Sequence, residues 1–214
     1  MITLWGRPDS INVQKVLWTL AELDREHRHV DAGGDAGGLD EPWFRAMNPH
    51  GRVPVIEDQG VRVWESNAIV RYLCAAYSPG VLSPTAPLER ALCDQWMDWT
   101  ATALQPAIMG LFWGFYRTPA ARRDLAANAR LEHDCRELVL RLDSWLARRA
   151  FVAGVAFSMA DIPAGALMHR YFGMGIDPPD APAVRAWCAR LVQRLPYRSA
   201  VMRPFAGLFA RRAY

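Results

Sequence analysis

The sequence predicts a two-part chain: a mixed α/β domain in the order β-α-β-α-β-β-α, followed by an all-helical domain. Three observations predict it. Over residues 1–77, short strand-like runs alternate with amphipathic helical patterns. Residues 78–87 carry three prolines and no hydrophobic period, the composition expected of a linker. Every patterned stretch over residues 88–214 has helical spacing. The chain has 214 residues, 51% of them hydrophobic, which is ample for one large core or two small ones.

The elements follow in order. Ile2-Thr3-Leu4-Trp5 is a short apolar strand, and Gly6 to Ser10 has loop chemistry. Val13, Val16, Leu17, Leu20 and Ala21 fall at helical spacing and predict a helix from Asn12 to about Asp24. His27 to Asp31 reads as a second strand. A β-α-β unit of this size makes a right-handed crossover between parallel strands. The glycine-rich run Gly33 to Gly38 matches neither a dinucleotide fingerprint nor a P-loop, and is expected to be a mobile loop. A short helix over residues 41–46 is expected to turn Trp43 and Phe44 inward.

Asn48 to Leu73 is the most informative stretch. Pro54 stands at the start of the strand Val55-Ile56, which fits an edge strand or a cis peptide bond. Asp58-Gln59-Gly60 is a turn, and Val61 to Val63 alternates with period two. Ser66 then precedes Ile69, Val70 and Leu73 and is expected to cap their helix. Glu65 and Ser66 place a carboxylate and a hydroxyl beside the unpaired N–H groups of a helix start. That combination suits an amino acid zwitterion held by both ends.

The second part begins with a long aromatic helix from residue 88 to about 117, kinked by Pro106. Thr118-Pro119 is expected to start the next, with Leu131, Cys135, Leu138, Leu142 and Trp145 as its packing seam. Ser158-Met159-Ala160-Asp161 has the form of a capping box, with Phe157 as a hydrophobic staple, ahead of a helix to about Tyr171. Another helix runs from Pro182 to Arg194 and ends at Pro196. The tail, 205–214, is expected to be a short helix or coil.

Composition excludes several classes. Basic and acidic residues nearly balance, 25 against 22, and the arginines form doublets without a basic run, so nucleic-acid binding has little support. Four cysteines, Cys74, Cys93, Cys135 and Cys188, form no CxxC and read as reduced core residues. The five histidines are scattered and give no ligand set, so no metal is expected. No apolar stretch approaches a membrane span, and the first residues show no leader pattern, so the expectation is a cytoplasmic protein with no membrane partner.

Four segments in this order carry a resemblance: Ser10-Ile11-Asn12, Asn48 to Pro54, Glu65-Ser66-Asn67-Ala68-Ile69, and Ser158 to Asp161. With them the chain resembles the cytosolic glutathione transferases, especially bacterial members with Ser-x-Asn at the start of the first helix. The resemblance implies a thioredoxin-like first domain, residues 1–77, that binds glutathione as co-substrate. It implies an all-helical domain, residues 88–214, on the electrophile side. Pro54 is similar to the family's cis-proline, with Val53 offering its backbone to the cysteinyl part of glutathione. Glu65 and Ser66 match the pair that holds the γ-glutamyl end, and Arg52 stands near the glycyl carboxylate. The thiolate is the nucleophile, and a helix N-terminus with a hydroxyl donor lowers a thiol's pKa. Ser10 and Asn12 are therefore the expected catalytic residues. Arg7, Met109, Phe112, Trp113 and Tyr116 are candidates to line an apolar pocket for a hydrophobic electrophile. A homodimer with a detoxifying role is the family's usual form.

The chain also departs from relatives. No Cys or Tyr stands at Ser10, and Leu39 occupies a position where several relatives reach the glycyl carboxylate with a polar side chain. A glutathione-dependent disulfide reductase or peroxidase, and a non-catalytic binding module on the same fold, are the competing readings.

Overall fold

The computed structural model describes residues 1–212 and divides the chain into two compact units. Met1–Thr85 joins Pro196–Arg203 in the first, and Ala86–Leu195 joins the segment from Pro204 in the second. The first unit is therefore thioredoxin-like β-α-β-α-β-β-α plus one late segment of chain, and the second is all helical.

The first unit contains β1 (Ile2–Trp5), α1 (Ile11–Glu22), β2 (His27–Val30), α2 (Pro42–Arg45), β3 (Val55–Asp58), β4 (Val61–Trp64) and α3 (Ser66–Tyr77). The strand order is β2-β1-β3-β4, with β1 parallel to β2 and antiparallel to β3, and β3 antiparallel to β4. The period of two sorts the side chains. Leu4 faces its register partner Ile56 and is fully buried with Val13, Val16 and Leu20 of α1 and Ile69, Val70 and Leu73 of α3. Trp5 faces Val55 on the other side, where Val55 clusters with Ala32, Phe44 and Met47.

β3 is an inner strand, so the proline before it does not mark a sheet edge. The Val53-Pro54 bond is cis, the other alternative that the sequence left open. The glycine-rich loop is not featureless: Gly34–Ala36 forms a 3₁₀ turn, and the Gly33 N–H donates to Gly37 O at 2.7 Å. Phe44 is buried, but Trp43 is half exposed, because a four-residue helix turns only one of two consecutive side chains inward. At the far end of α3, Asp58 is buried and accepts hydrogen bonds from the hydroxyls of Tyr72 (2.7 Å) and Tyr77. This pins the β3–β4 turn to the helix.

The second unit begins with α4 (Pro87–Trp99) and α5 (Gln105–Leu111), joined without a break by a π turn, Thr100–Leu104. The expected kink at Pro106 is absorbed here. Gln105 N–H donates back to Thr100 O, so the helix widens just ahead of the residue that lacks a donor. A second π turn follows at Phe112–Tyr116.

The next helix does not start at Thr118-Pro119. Those residues lead into a 3₁₀ turn, Ala120–Arg122, and α6 (Leu125–Leu146) starts after Asp124, whose carboxylate accepts from Ala127 N–H at 2.9 Å. The buried seam of α6 is Asn128, Cys135, Val139, Leu142 and Leu146. Leu131, Leu138 and Trp145, expected in that seam, are only half buried.

α7 (Asp161–Gly173), α8 (Pro182–Val192) and α9 (Leu195–Ala200) complete the helices. Pro196 does not simply end a helix. It is the second residue of α9, a position where its missing N–H costs nothing. In the tail, Ala206–Leu208 is a 3₁₀ turn, and residues 213 and 214 lie outside the described residues.

Half of the expected capping box forms: Asp161 accepts from Ser158 N–H, whereas Ser158 Oγ accepts from Ala160 N–H at 3.3 Å and Asp161 N–H donates to the Ser158 carbonyl. The fully buried carboxylate of Asp161 accepts from Val152 N–H (2.8 Å), Ser158 N–H (3.0 Å) and the Trp187 indole (2.9 Å). Burial still pushes its pKa up to about 6, against those donors. Asp161→Ala would leave three buried donors without an acceptor. We expect a loss of about 3–5 kcal/mol in urea unfolding at pH 7 with an unchanged m-value.

Candidate functional site

The residues with the strongest chemistry in the sequence gather in the first unit, around the starts of α1 and α3. The loop from β1 into α1 is held by its own backbone. Gly6 N–H donates to Val30 O (3.0 Å), His29 Nε2 donates to Gly6 O (2.6 Å), and Ser10 N–H donates to Arg7 O (3.2 Å). Gly6 has no substitute in that packing. A Cβ there would stand 2.5 Å from Val13 Cγ2 and 3.2 Å from Val53 Cβ. The loop thus lies directly against the residue before the cis-proline. Ser10 occupies the N-cap of α1, with its carbonyl accepting from Gln14 N–H at 2.8 Å, but its hydroxyl makes no capping bond.

The loop before β3 is built on one buried side chain. Asn48 Nδ2 donates to Arg52 O (2.7 Å), and Asn48 Oδ1 accepts from His50 N–H (3.0 Å). Both bonds fix the path into Val53-Pro54. The Arg52 side chain itself is exposed.

Glu65 holds the cap position of α3 at φ 68°, ψ 113°. The left-handed region is costly for a residue with a side chain, by about 1–3 kcal/mol, and such outliers persist where surrounding contacts impose them. Ser66 is therefore not the cap but the first helical residue. The shift moves the hydroxyl inward. Ser66 is buried, and its Oγ donates to Asn12 Oδ1 at 3.3 Å.

A residue that sequence reasoning passed over completes this group. Lys15, one turn into α1, is 1% exposed. Its Nζ lies 3.4 Å from Ser66 Oγ and 3.4 Å from Asn67 Oδ1, and donates to both. Burial pulls the ammonium down to about 7, while the charge of Glu65 acts to raise it. Lys15 is the only lysine in the chain, and it stands within an apolar helical run. That solitary placement is the signal that would have found it.

The second-substrate candidates are a mixed set. Arg7 is half buried and paired with Asp9 at 2.6 Å. In the helical unit, Phe112 and Tyr116 stack at 5.3 Å and are almost wholly buried. Met109 and Trp113 keep partial exposure, and Trp113 carries the Arg117 guanidinium 4.1 Å above its ring. A groove of about 610 Å³ in the same unit lies elsewhere, lined by Ala103, Pro106, Ala107, Leu131 and Leu138 with a charged rim from α6. Among the described residues, no cluster of three or more His, Cys, Asp or Glu is placed to hold a metal ion. No helix is long and apolar enough to cross a membrane.

Known proteins match along nearly the whole chain. The N-terminal domain of glutathione S-transferase, as a family model, matches residues 1–75, and the C-terminal domain matches residues 104–194. The chain is 39% identical over 206 residues to glutathione S-transferase GstB of Escherichia coli, covering 95% of this chain and 99% of that protein. Among solved structures, a theta class glutathione S-transferase from Xanthomonas axonopodis pv. citri with glutathione bound is 45% identical. It superposes with a TM-score of 0.91, over 95% of this chain and 98% of that one. A glutathione S-transferase from Pseudomonas fluorescens is 26% identical, with a TM-score of 0.81 over 91% and 96% of the two chains.

The buried amine has a measurable signature. Its folded pKa of about 7 lies below the ordinary lysine value, so from pH 7 upward the unfolded chain binds more protons at this position than the native one. Stability from this group rises with pH, by up to about 1.4 kcal/mol per pH unit. Urea unfolding at pH 7 and 8.5 should show that rise in the wild type and its loss in Lys15→Met.

Proposed function

We propose, for a chain that belongs to the glutathione S-transferase family and is a glutathione transferase, that Ser10 and Asn12 stabilise the thiolate of bound glutathione and that Glu65 and Ser66 hold its γ-glutamyl end. The single observation that carries this reading is the link between Ser66 and Asn12 beside a Glu65 held at positive φ. It puts the start of α3 and the start of α1 around one small volume. The Glu65 carboxylate takes the ammonium of the γ-glutamyl group, and the N–H groups at the start of α3 take its carboxylate. Val53, set by the Asn48 latch, offers its backbone to the cysteinyl part as an added strand would. Arg52 is exposed and long enough to meet the glycyl carboxylate, in place of the polar group that Leu39 does not supply.

Ser10 then supplies the chemistry. Its hydroxyl has no capping duty, so it is available to donate to sulfur at the positive end of α1. Thiolate attack on a hydrophobic electrophilic small molecule follows. Met109, Phe112, Trp113 and Tyr116 of the helical unit are the candidates to receive it, with Met109 and Trp113 partly exposed and Phe112 stacked on Tyr116, and Arg7 is the candidate from the first unit. The chain is of the bacterial type with Ser-x-Asn at the start of the first helix. It acts in the cytoplasm as a homodimer, in detoxification, and needs no metal. A disulfide reductase or peroxidase activity through a protein–glutathione disulfide has no support, since Cys74, Cys93 and Cys135 are buried and none of the four cysteines is near Ser10 in sequence.

Ser10→Ala should raise the pH midpoint of kcat by about one unit and lower kcat about tenfold below it, with KM for glutathione nearly unchanged. Glu65→Gln should raise the Kd for glutathione about tenfold in calorimetry while leaving that midpoint in place. A chlorodinitrobenzene-type electrophile and hydroxyethyl disulfide, assayed side by side, separate transfer from disulfide reduction. An unchanged pH–rate profile in Ser10→Ala would remove Ser10 from the mechanism.

A further inference from the structure

Ser66 has one hydroxyl proton, and the hydrogen bonds around it decide where that proton points. Lys15 Nζ has no lone pair as an ammonium and donates into Ser66 Oγ at 3.4 Å. Ser66 in turn donates to Asn12 Oδ1 at 3.3 Å. An amide whose oxygen is engaged on one side carries its two N–H donors on the other. The direction of the chain is therefore set from its buried end: amine to hydroxyl, hydroxyl to amide oxygen. The second donation, from Lys15 to Asn67 Oδ1 at 3.4 Å, holds the amine in place at the first turn of α3. The direction is imposed while Nζ carries its third proton, since a neutral amine has a lone pair and can itself accept from the Ser66 hydroxyl.

We propose that Lys15 is a positioning residue for glutathione transfer: from behind the start of α3 it commits the Ser66 hydroxyl to Asn12 and so fixes the Asn12 amide with its N–H side turned to the thiol. The proposal rests on the site assignment above and changes one part of it. The Ser66 hydroxyl serves the chemistry of α1. The γ-glutamyl carboxylate is held by the backbone N–H groups at the start of α3, which survive when the hydroxyl is removed. Without Lys15, the Ser66 hydroxyl is free to accept from Asn12 instead. The amide then flips, and an oxygen faces the sulfur where a donor stood.

The test uses Lys15→Met, which keeps an unbranched apolar stem and removes the donors, and Ser66→Ala, which leaves Lys15 in place and breaks the chain at its middle. Both are assayed in the full-length enzyme with glutathione and a chlorodinitrobenzene-type electrophile, after urea unfolding has confirmed the fold. Each should lower kcat about tenfold and raise its pH midpoint by about half a unit to one unit, with KM for glutathione changing less than about threefold. The double variant should be no worse in kcat than Ser66→Ala alone, because both changes remove one pathway. Additive losses in the double variant, or a rise in KM with kcat and its midpoint untouched, would overturn the proposal. If Lys15→Met does not fold, Ser66→Ala decides by the same split. Wild-type binding of glutathione, and its weakening in Glu65→Gln, report on the site assignment itself, so that failure is read separately from this one.

Discussion

The site depends on a buried amine. An ammonium taken out of water costs several kcal/mol unless its donors are met, and Lys15 offsets part of that cost with oxygens that belong to α3. α1 and α3 are therefore tied by polar contacts at their shared end as well as by the apolar packing of Val13, Val16, Ile69 and Val70 against the sheet. α3 is tied again at its other end, where Tyr72 and Tyr77 reach Asp58. A helix held at both ends cannot rotate or slide to relax the residue at its cap. That explains how Glu65 keeps a conformation that an unconstrained glutamate would leave.

The same device recurs through both units: a buried polar side chain fastens a loop to the start or flank of a helix. Asn48 fixes the path into Val53, and Asp161 joins three separate segments. Asn128 of α6 donates to Gly114 O in the second π turn at 3.1 Å. Gly114 is the residue that admits it, since a Cβ there would stand 2.4 Å from the Asn128 amide oxygen. Apolar burial brings these elements together with little regard to direction. The latches choose one register among those that the apolar contacts would accept.

Much of the architecture was legible because it rests on period and punctuation. The strand alternation around Leu4 and Ile56, the helical spacing of Val13 to Leu20 and the proline-rich boundary all follow from local rules. What was illegible depends on contacts between distant residues. Ser66 looked like a cap because serine is a good one, but the cap position went to Glu65, a choice made by packing at the start of α3. The seam of α6 was read one position off, at Leu138 instead of Val139, since Leu and Val lie on both sides of the true stripe. Thr118-Pro119 drew attention from Asp124, the residue that does cap α6. In the site, the reactive side chains were legible as residue types, whereas the order in which they bond is a property of the fold.

Trp18 lies on α1 with no exposed surface, and its ring meets the edge of Tyr197 at 4.8 Å. Tyr197 belongs to the short stretch from Pro196 to Arg203 that is counted with the first unit although it comes near the end of the chain. During synthesis, then, the first eighty or so residues emerge without one wall of their own core. The indole face stays open until Tyr197 has been made. Domains commonly fold in order as they leave the ribosome, but here Met1–Thr85 waits for a segment more than a hundred residues further along the chain. A nascent or truncated chain ending in the linker would present a tryptophan-sized apolar surface to chaperones, and the completed molecule would not.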